Sequence, residues 1–482
     1  MADQTTVIRN AGRILAWNAD RKTHEYLTDG DLAFRGNAIL QVGGRYEGKA
    51  DREVDGRGKM LLPGLVNVHS HPSSEPGNKG LLEELGSPGL GQSSLYEFMP
   101  IFLRFGPEGV RAAQQVAMAE LLQSGVTTIC DLSLPRPGWA DDLAATGIRA
   151  VLCPMFRSAS WRTDDGHSVS YQWDEKAGEK AMQTALETID RAAQHQSGRV
   201  SGILAPSQID TCTEGLLKDA LAEGRKRGQA IQLHAAQSLV EFGEITRRHG
   251  RTPIEWLDSI GLLGPDLVIA HGIFLNDHPW IQWPHADDFA RLRASGAQVA
   301  HCPVVFARRG IALNTLGRYR AAGITCGIGT DTFPHNMIDE LRTACYAGRI
   351  VAGNFKAVST EDAFTAATVG GATILRRPDL GRLAVGAKAD FSIVDLKHPY
   401  MRPAREPLRS LVYSAGERAI RDVFVDGEQV VRDGKVLKID VEAALSALEE
   451  AQAKSLEGAP GRDWAKRPVD RMSPPVFPQA QQ

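Results

Sequence analysis

Five histidines and one aspartate close apolar runs along this chain. His69 and His71 follow a short hydrophobic stretch in LLPGLVNVHSHPSSEP (61–76), His234 lies in AIQLHAAQ, His271 in LVIAHGIFL, His301 in QVAHCPVV, and Asp331 in TCGIGTDT. One histidine in an apolar strand is ordinarily a satisfied core residue, so each alone says little. The register says more. Strand side chains alternate between faces, so H-x-H turns both imidazoles the same way, and both can face one ion. The steps 234→271→301→331 span 37, 30 and 30 residues, and one strand–helix unit takes roughly 30. The four positions therefore recur at one height around a repeating α/β structure. Three neutral imidazoles and one carboxylate suit Zn²⁺, and also Fe²⁺ or another first-row divalent ion.

The elements that would hold them can be read as eight apolar strands at 64–71, 126–133, 149–156, 200–208, 230–237, 267–275, 298–305 and 325–332. Helical patterns such as PEGVRAAQQVAMAELLQSG and EGLLKDALAEGRKRG fall between them. Continuous apolar strands alternating with helices predict a parallel sheet covered on its faces. Eight such units fit a (β/α)8 TIM barrel over 63–378, whose active site lies at the C-terminal rim of the strands. The first 62 residues are short strands punctuated by Gly and Asp-Gly. The same texture returns over 379–440, where VDGEQVV reads as a hairpin. The expected fold is α/β, a barrel with a small β-sandwich domain built from both chain ends. A C-terminal helix and Pro-rich tail, read as an extended arm, occupy 441–482.

Composition excludes several classes. A net charge of −3 offers no broad basic field for nucleic acid or anionic lipid. The six cysteines are dispersed with no C-x-x-C pair, which argues against a zinc ribbon or disulfide framework and for a reducing compartment. No signal peptide is read at the N-terminus, and no apolar run approaches the ~18 residues of a membrane span. The expectation is a cytoplasmic homo-oligomer acting on a small molecule, with neither a nucleic-acid nor a membrane partner.

The set PGLVNVHSH, QLHAAQ, IAHG, HCP and GIGTD, with the late GRLAVGAKADFSIVDL and VFVDGEQVV, resembles the amidohydrolase superfamily over about residues 8–440. The branch it resembles contains cytosine, guanine and adenosylhomocysteine deaminases and the triazine hydrolases. The resemblance implies that His69, His71, His234 and Asp331 hold a single metal ion, with His271 beside the water or the substrate oxygen. The fourth strand, GILAPSQID, lacks the lysine of the binuclear branches, which favours one ion. Such an ion lowers the pKa of its water toward ~7 and polarises the attacked carbon. Asp331 would accept the water's proton and pass it to the departing nitrogen, and His271 would stabilise an oxyanion.

Two departures shape the functional reading. Deaminases of this branch carry H-x-x-E on the fifth strand, where the glutamate shuttles a proton to the ring. Here the motif is His234-Ala-Ala-Gln237, and glutamine has no titratable proton. An amide, urea or carbamate needs no ring protonation, and Gln237 would orient it. Glu241, one helical turn on, is the substitute should the strand end elsewhere. The seventh strand continues as HCPVVFARRG rather than with Ser-Asn. Its apolar rim, with Phe306, Phe274, Trp280, Trp283 and Trp161, suggests a lipophilic or arylated substrate, and His301 joins the substrate-binding set. Arg308 and Arg309 either bind a carboxylate or cap the next helix. His278, His285 and His335 read as surface loop residues, and Cys302 as a small buried strand residue. The expected activity is hydrolysis of a non-peptide C–N bond in a carbonyl compound. The alternatives are aminohydrolysis of a purine, pyrimidine, pterin or triazine ring, and a non-catalytic assembly protein built on the same fold.

Overall fold

The computed structural model describes residues 4–81, 87–311 and 316–478. Eight segments form two parallel sheets. The first joins β1 (Leu65–Ser70), β2 (Val126–Ser133), β3 (Arg149–Phe156) and β4 (Val200–Gly202, resumed at Ala205–Pro206). The second joins β5 (Ile231–Ala235), β6 (Leu267–His271), β7 (Gln298–His301) and β8 (Cys326–Ile328). Every pairing within both is parallel. Two parallel bridges, Ser70 with Asp331 and Gln208 with His234, tie the sheets together beyond the strand ends. The strands are buried along their length, so they are rich in Val, Ile, Leu and Ala, and the few polar residues they carry, such as Asn67, His69, Gln232 and His234, are buried too.

The seventh segment departs from expectation. It is strand only to His301, and Pro303–Arg308 is helical. Pro303 explains the change: its ring fixes φ near the helical value and its missing N–H costs nothing at a first helical position. Val304, Val305 and Phe306 therefore lie on a helix, not on a strand rim.

The two chain ends meet in one sheet. Its order runs Lys435–Val436, Glu428–Arg432, Ile420–Val425, Phe391–Asp395, Lys59–Pro63, Arg13–Asn18, Thr23–Leu27. Asp426 and Gly427, both at positive φ (56° and 78°), turn the hairpin between Ile420–Val425 and Glu428–Arg432. A second sheet orders Ala38–Val42, Gly30–Arg35, Thr5–Ala11 and Arg52–Asp55. Ile8, Phe34 and Ile39 of one sheet share an apolar core with Leu61, Phe391 and Phe424 of the other. Arg149, at the start of β3, reaches these sheets through a buried ion-pair cluster. Its Nε lies 2.9 Å from Asp390 Oδ2 and its guanidinium 2.8 Å from Asp426 Oδ1.

The C-terminal segment is folded back rather than extended. Helix Val441–Glu457 packs on helix Pro107–Gln123, and short helices follow at Ala459–Arg462 and Val469–Met472. Ser455 donates to the carbonyl of Phe102 (2.6 Å), Arg462 to that of Ile101 (2.8 Å), and the Trp464 indole to Glu97 (2.9 Å). These bonds fasten the long segment between β1 and β2. No helix of the described residues is long and apolar enough to cross a membrane. The six cysteines are buried and unbridged.

Candidate metal centre

The ends of β1, β5, β6 and β8 converge on one point. Ring nitrogens of His69, His71 and His234 lie within 4.8 Å of one another, as do donor atoms of His69, His271, Cys302 and Asp331. Asp331 Oδ1 is 3.6 Å from His69 Nε2 and 3.4 Å from His71 Nε2, and Oδ2 is 4.0 Å from His271 Nε2. Backbone pairing fixes this meeting. The Asp331 amide donates to the His69 carbonyl and the His71 amide to that of Asp331, both at 2.9 Å.

Hydrogen bonds on the far side of each ring set the tautomers. His71 Nδ1 is 2.8 Å from the Leu132 carbonyl oxygen and His234 Nδ1 is 2.5 Å from that of Ser207. His69 Nδ1 is 2.5 Å from Gln232 Oε1, and the Gln232 amide is oriented by donating Nε2–H to the Val68 carbonyl (3.0 Å). All three partners accept, so all three Nδ1 atoms carry the proton and all three Nε2 lone pairs are bare. The Nε2 atoms of His71 and His234 are only 3.3 Å apart, and His69 Nε2 is buried with no hydrogen-bond partner among the described residues. Bare lone pairs and a carboxylate turned toward one point repel unless a cation lies between them. Nδ1–H bonded to carbonyl oxygen is also how metal-binding histidines are usually oriented. The donor set fits one divalent cation.

The electrostatics agree. Burial pushes the His71 imidazole down to about 4, against the pull of the Asp331 charge. Burial and neighbouring imidazoles hold His234 well below the usual histidine range, and burial with His69 and His71 does so for His271. Burial would raise the Asp331 carboxyl, but the close approach of the His69 ring and the electrostatic pull of His271, His69 and His71 win and hold it well below the usual carboxylate range. Neutral imidazoles beside an ionised carboxylate are the protonation states that metal binding requires. Three non-glycine residues here, Ala236, His271 and Asp331, adopt left-handed backbone (φ 53°, 84° and 57°). Such conformers cost of order 1–3 kcal/mol each and are kept where geometry is fixed by function.

The other expected site residues divide. The Phe306 ring lies 4.8 Å from that of His271, edge to face. Phe274 is fully buried and shares an apolar cluster with Phe306, Val305 and Cys302. Gln237 is buried, and its Nε2 has no partner among the described residues. His301 is buried at the end of β7, where burial lowers it to about 4, but it contributes no atom to either donor group. Trp161 lies on the hairpin Ala159–Arg162/Ser170–Trp173; its indole donates to the buried Asp210 (2.9 Å) and its ring meets Tyr96. Glu241 does not replace the missing glutamate. Its carboxylate accepts the backbone N–H groups of Ala236 (2.6 Å) and Gln237 (3.2 Å), binding the loop after β5. Trp280 and Trp283 are partly exposed, at 44% and 39%. Arg308 donates to the Phe333 carbonyl (2.6 Å) and Arg309 to Ser94 Oγ (3.4 Å).

Sequence reasoning missed five residues. Gln232 carries the same period-two signal as H-x-H, since Gln232-x-His234 share a strand face. Cys302 is not merely a packing residue, because its Sγ joins the donors of His69, His271 and Asp331. His335, read as surface, is fully buried; neither ring nitrogen makes a hydrogen bond among the described residues, though Nδ1 lies 3.9 Å from Glu120 Oε2, and His278 is buried as well. Glu75, one turn after His71, is fully buried, and burial with the Asp331 charge pushes its carboxyl up to about 8.

Comparison with known proteins agrees with this geometry. The family model described as "Amidohydrolase family" matches residues 60–430. A 5-methylthioadenosine/S-adenosylhomocysteine deaminase of Natronomonas pharaonis is 29% identical over 95% of this chain and 100% of its own. Among solved structures, an adenosine deaminase from Xanthomonas campestris with bound zinc superposes with a TM-score of 0.78 at 23% identity, covering 93% of this chain and 98% of its own. An atrazine chlorohydrolase from Arthrobacter aurescens complexed with zinc gives 0.77 at 22%, covering 93% and 100%. The chain belongs to the amidohydrolase family and is a hydrolase of carbon–nitrogen bonds other than peptide bonds.

Proposed function

We propose that this amidohydrolase holds one divalent ion, zinc by preference, on His69, His71, His234 and Asp331, and hydrolyses the C–N bond of a small amide, urea or carbamate. The ion would supply Lewis acidity, polarising a carbonyl and acidifying a nearby water. Asp331, kept ionised, takes the water's proton and returns it to the departing nitrogen. His271 faces the reacting oxygen from β6, with Phe306 against its ring. The eight parallel strands and their two bridges support a (β/α)8 barrel over 63–378, with a β-sandwich from 1–62 and 379–440 and a C-terminal helix and tail over 441–482. Exposed Tyr346, Ile350 and Phe355 at the end of helix Met337–Ala352 support self-association.

The observation that carries the carbonyl reading is Gln237. By motif its amide stands where the resemblance puts the deaminases' carboxylate, and it presents a buried donor with no partner among the described residues. Glu241, the nearest substitute, is committed to the backbone of Ala236 and Gln237. A buried amide N–H suits a carbonyl oxygen and cannot shuttle a proton. Ring deamination remains the second reading because the 29%-identical relative is named as a deaminase of methylthioadenosine and adenosylhomocysteine. Ureas, carbamates, anilides and aminopurines assayed for ammonia and amine release, with wild type and Gln237→Glu, separate the two. Carbonyl hydrolysis predicts no gain in Gln237→Glu. A rise in ring deamination of about 10²-fold, or efficient wild-type deamination of any ring, overturns the carbonyl assignment.

A further inference from the structure

Asp331 stands between two groups of donors. Its Oδ1 lies 3.4 Å from His71 Nε2 and 3.6 Å from His69 Nε2, while Oδ2 lies 4.0 Å from His271 Nε2. One group is His69, His71 and His234; the other is His69, His271, Cys302 and Asp331, and in each the donor atoms fall within 4.8 Å of one another. His69 belongs to both groups, but one lone pair serves one ion, so it stays with His71 and His234. His271, Cys302 and the second oxygen of Asp331 are left over: a nitrogen, a sulfur and an oxygen.

Local structure keeps the sulfur free. Cys302 is the N-cap of helix Pro303–Arg308, a position where Ser, Thr, Asp or Asn usually turns an oxygen back onto the first backbone N–H groups. Its thiol makes no such bond, and the Val304 N–H donates to Glu340 Oε2 (3.0 Å) instead. The thiols of Cys153, Cys212, Cys326 and Cys345 each donate to a backbone carbonyl. That of Cys302 donates to none among the described residues. His271 is unfastened in the same way. Nδ1 of His69, His71 and His234 each has an oxygen acceptor. His271 Nδ1 has no partner among the described residues, although the residue is only 2% exposed. Nothing therefore fixes its tautomer, and Nε2 can turn a lone pair toward Asp331. Cys302 also lies in a buried apolar cluster with Phe274, Val305 and Phe306, a wall that keeps water from competing for the ligands.

We propose that His271, Cys302 and Asp331 form a second cation position, bridged to the first by the Asp331 carboxylate, that takes a soft divalent ion such as Cd²⁺, or Zn²⁺ in excess. A sulfur ligand selects such ions over Mg²⁺, Ca²⁺ and Mn²⁺, and binding releases the thiol proton to solvent. With three protein ligands against four, and a like charge beside it, this position is the weaker and fills second. Its occupation withdraws His271 from the reacting oxygen and engages both oxygens of Asp331, so it stops turnover without expelling the resident ion. The proposal rests on the functional reading for the first ion and for the role of His271.

The test titrates Cd²⁺ into the full-length chain already loaded with zinc. Bound zinc and cadmium are counted by elemental analysis, and the ultraviolet absorption of the sulfur–cadmium bond is followed. Wild type is expected to keep its zinc, take up one cadmium and develop the absorption. Cys302→Ser should keep the zinc, show no absorption and bind cadmium about tenfold or more weakly. His271→Asn should weaken cadmium to a similar degree yet retain the absorption at saturation, and it serves where Cys302→Ser fails to fold. Turnover, taken as a ratio to the same protein without cadmium, should fall as the absorption grows in wild type and resist cadmium in Cys302→Ser. Cadmium that replaces the zinc without any absorption overturns the position, as does an absorption that persists in Cys302→Ser. Undiminished turnover at saturating absorption overturns the blocking role. A chain that takes up no zinc but shows the Cys302-dependent absorption sinks the assignment of the first ion and leaves the second position standing.

Discussion

Gln232 touches no reacting atom, yet replacing it should weaken metal binding. In Gln232→Leu two buried bonds disappear: the 2.5 Å contact to His69 Nδ1 and the 3.0 Å bond to the Val68 carbonyl. Both partners are completely buried and have no route to water. At about 1–3 kcal/mol for each stranded group, the metal-free protein should lose roughly 2–6 kcal/mol. The metal should suffer separately. Without an acceptor at Nδ1, the His69 ring is free to rotate and to exchange tautomers, and losses of oriented partners typically cost 10–100-fold in affinity. Competition with a chromophoric chelator measures the second effect and urea unfolding of the metal-free chain the first. Gln232→Glu separates them, because a carboxylate still accepts from His69 but cannot donate to Val68. It should keep zinc affinity near wild type and lose stability. Zinc affinity of Gln232→Leu within threefold of wild type would refute the claim that this bond sets the ligand's orientation.

Three further outcomes are expected. Asp331→Asn removes the proton acceptor, and kcat on the substrate found by the panel should drop at least ~10²-fold; activity within a few-fold of wild type would place the base elsewhere. Arg149→Leu leaves Asp390 and Asp426 facing each other in a buried junction and should destabilise by about 3–5 kcal/mol in urea, with Asp390→Asn recovering part; an unshifted midpoint contradicts this. His24 lies between the Trp17 and Phe364 rings, and burial, then the Arg382 charge, lowers it to about 4. The unfolded chain takes the proton near pH 6.5, so the stability this histidine contributes is complete above that pH and lost as pH falls toward 4. His24→Phe should flatten the decline in urea midpoint between pH 7 and 4.5, and a parallel decline would refute it.

The fold was legible where the signal was repetitive. β2 and β3 begin and end where their apolar runs do, because strands buried on both faces leave no alternation to misread. The candidate metal residues share that regularity, each lying at or within three residues of the end of a strand of a repeating unit. What escaped was decided by contacts distant in sequence. His335 reads as a loop histidine, and only the packing of its segment against Glu120 buries it. Glu241 has the right spacing to serve as a base, but the loop after β5 lacks backbone acceptors and takes its carboxylate instead. Trp161 is aromatic and near a strand end, yet Asp210 holds its indole on a hairpin. Gln232 was available from strand alternation, and polar residues on the ligand's own face are where an orienting partner should be sought.

The sheet that joins both chain ends has a consequence for synthesis. Lys59–Pro63 must wait for Phe391–Asp395 before its edge is covered, a delay of about 330 residues. At 5–20 residues per second this edge of Lys59–Pro63 stands open for roughly 17–66 s, although its other edge pairs with Arg13–Asn18. Gln452, which secures the turn bearing Glu75, emerges later still. A ribosome-bound chain stalled before the last sheet strands would therefore be a target for chaperones.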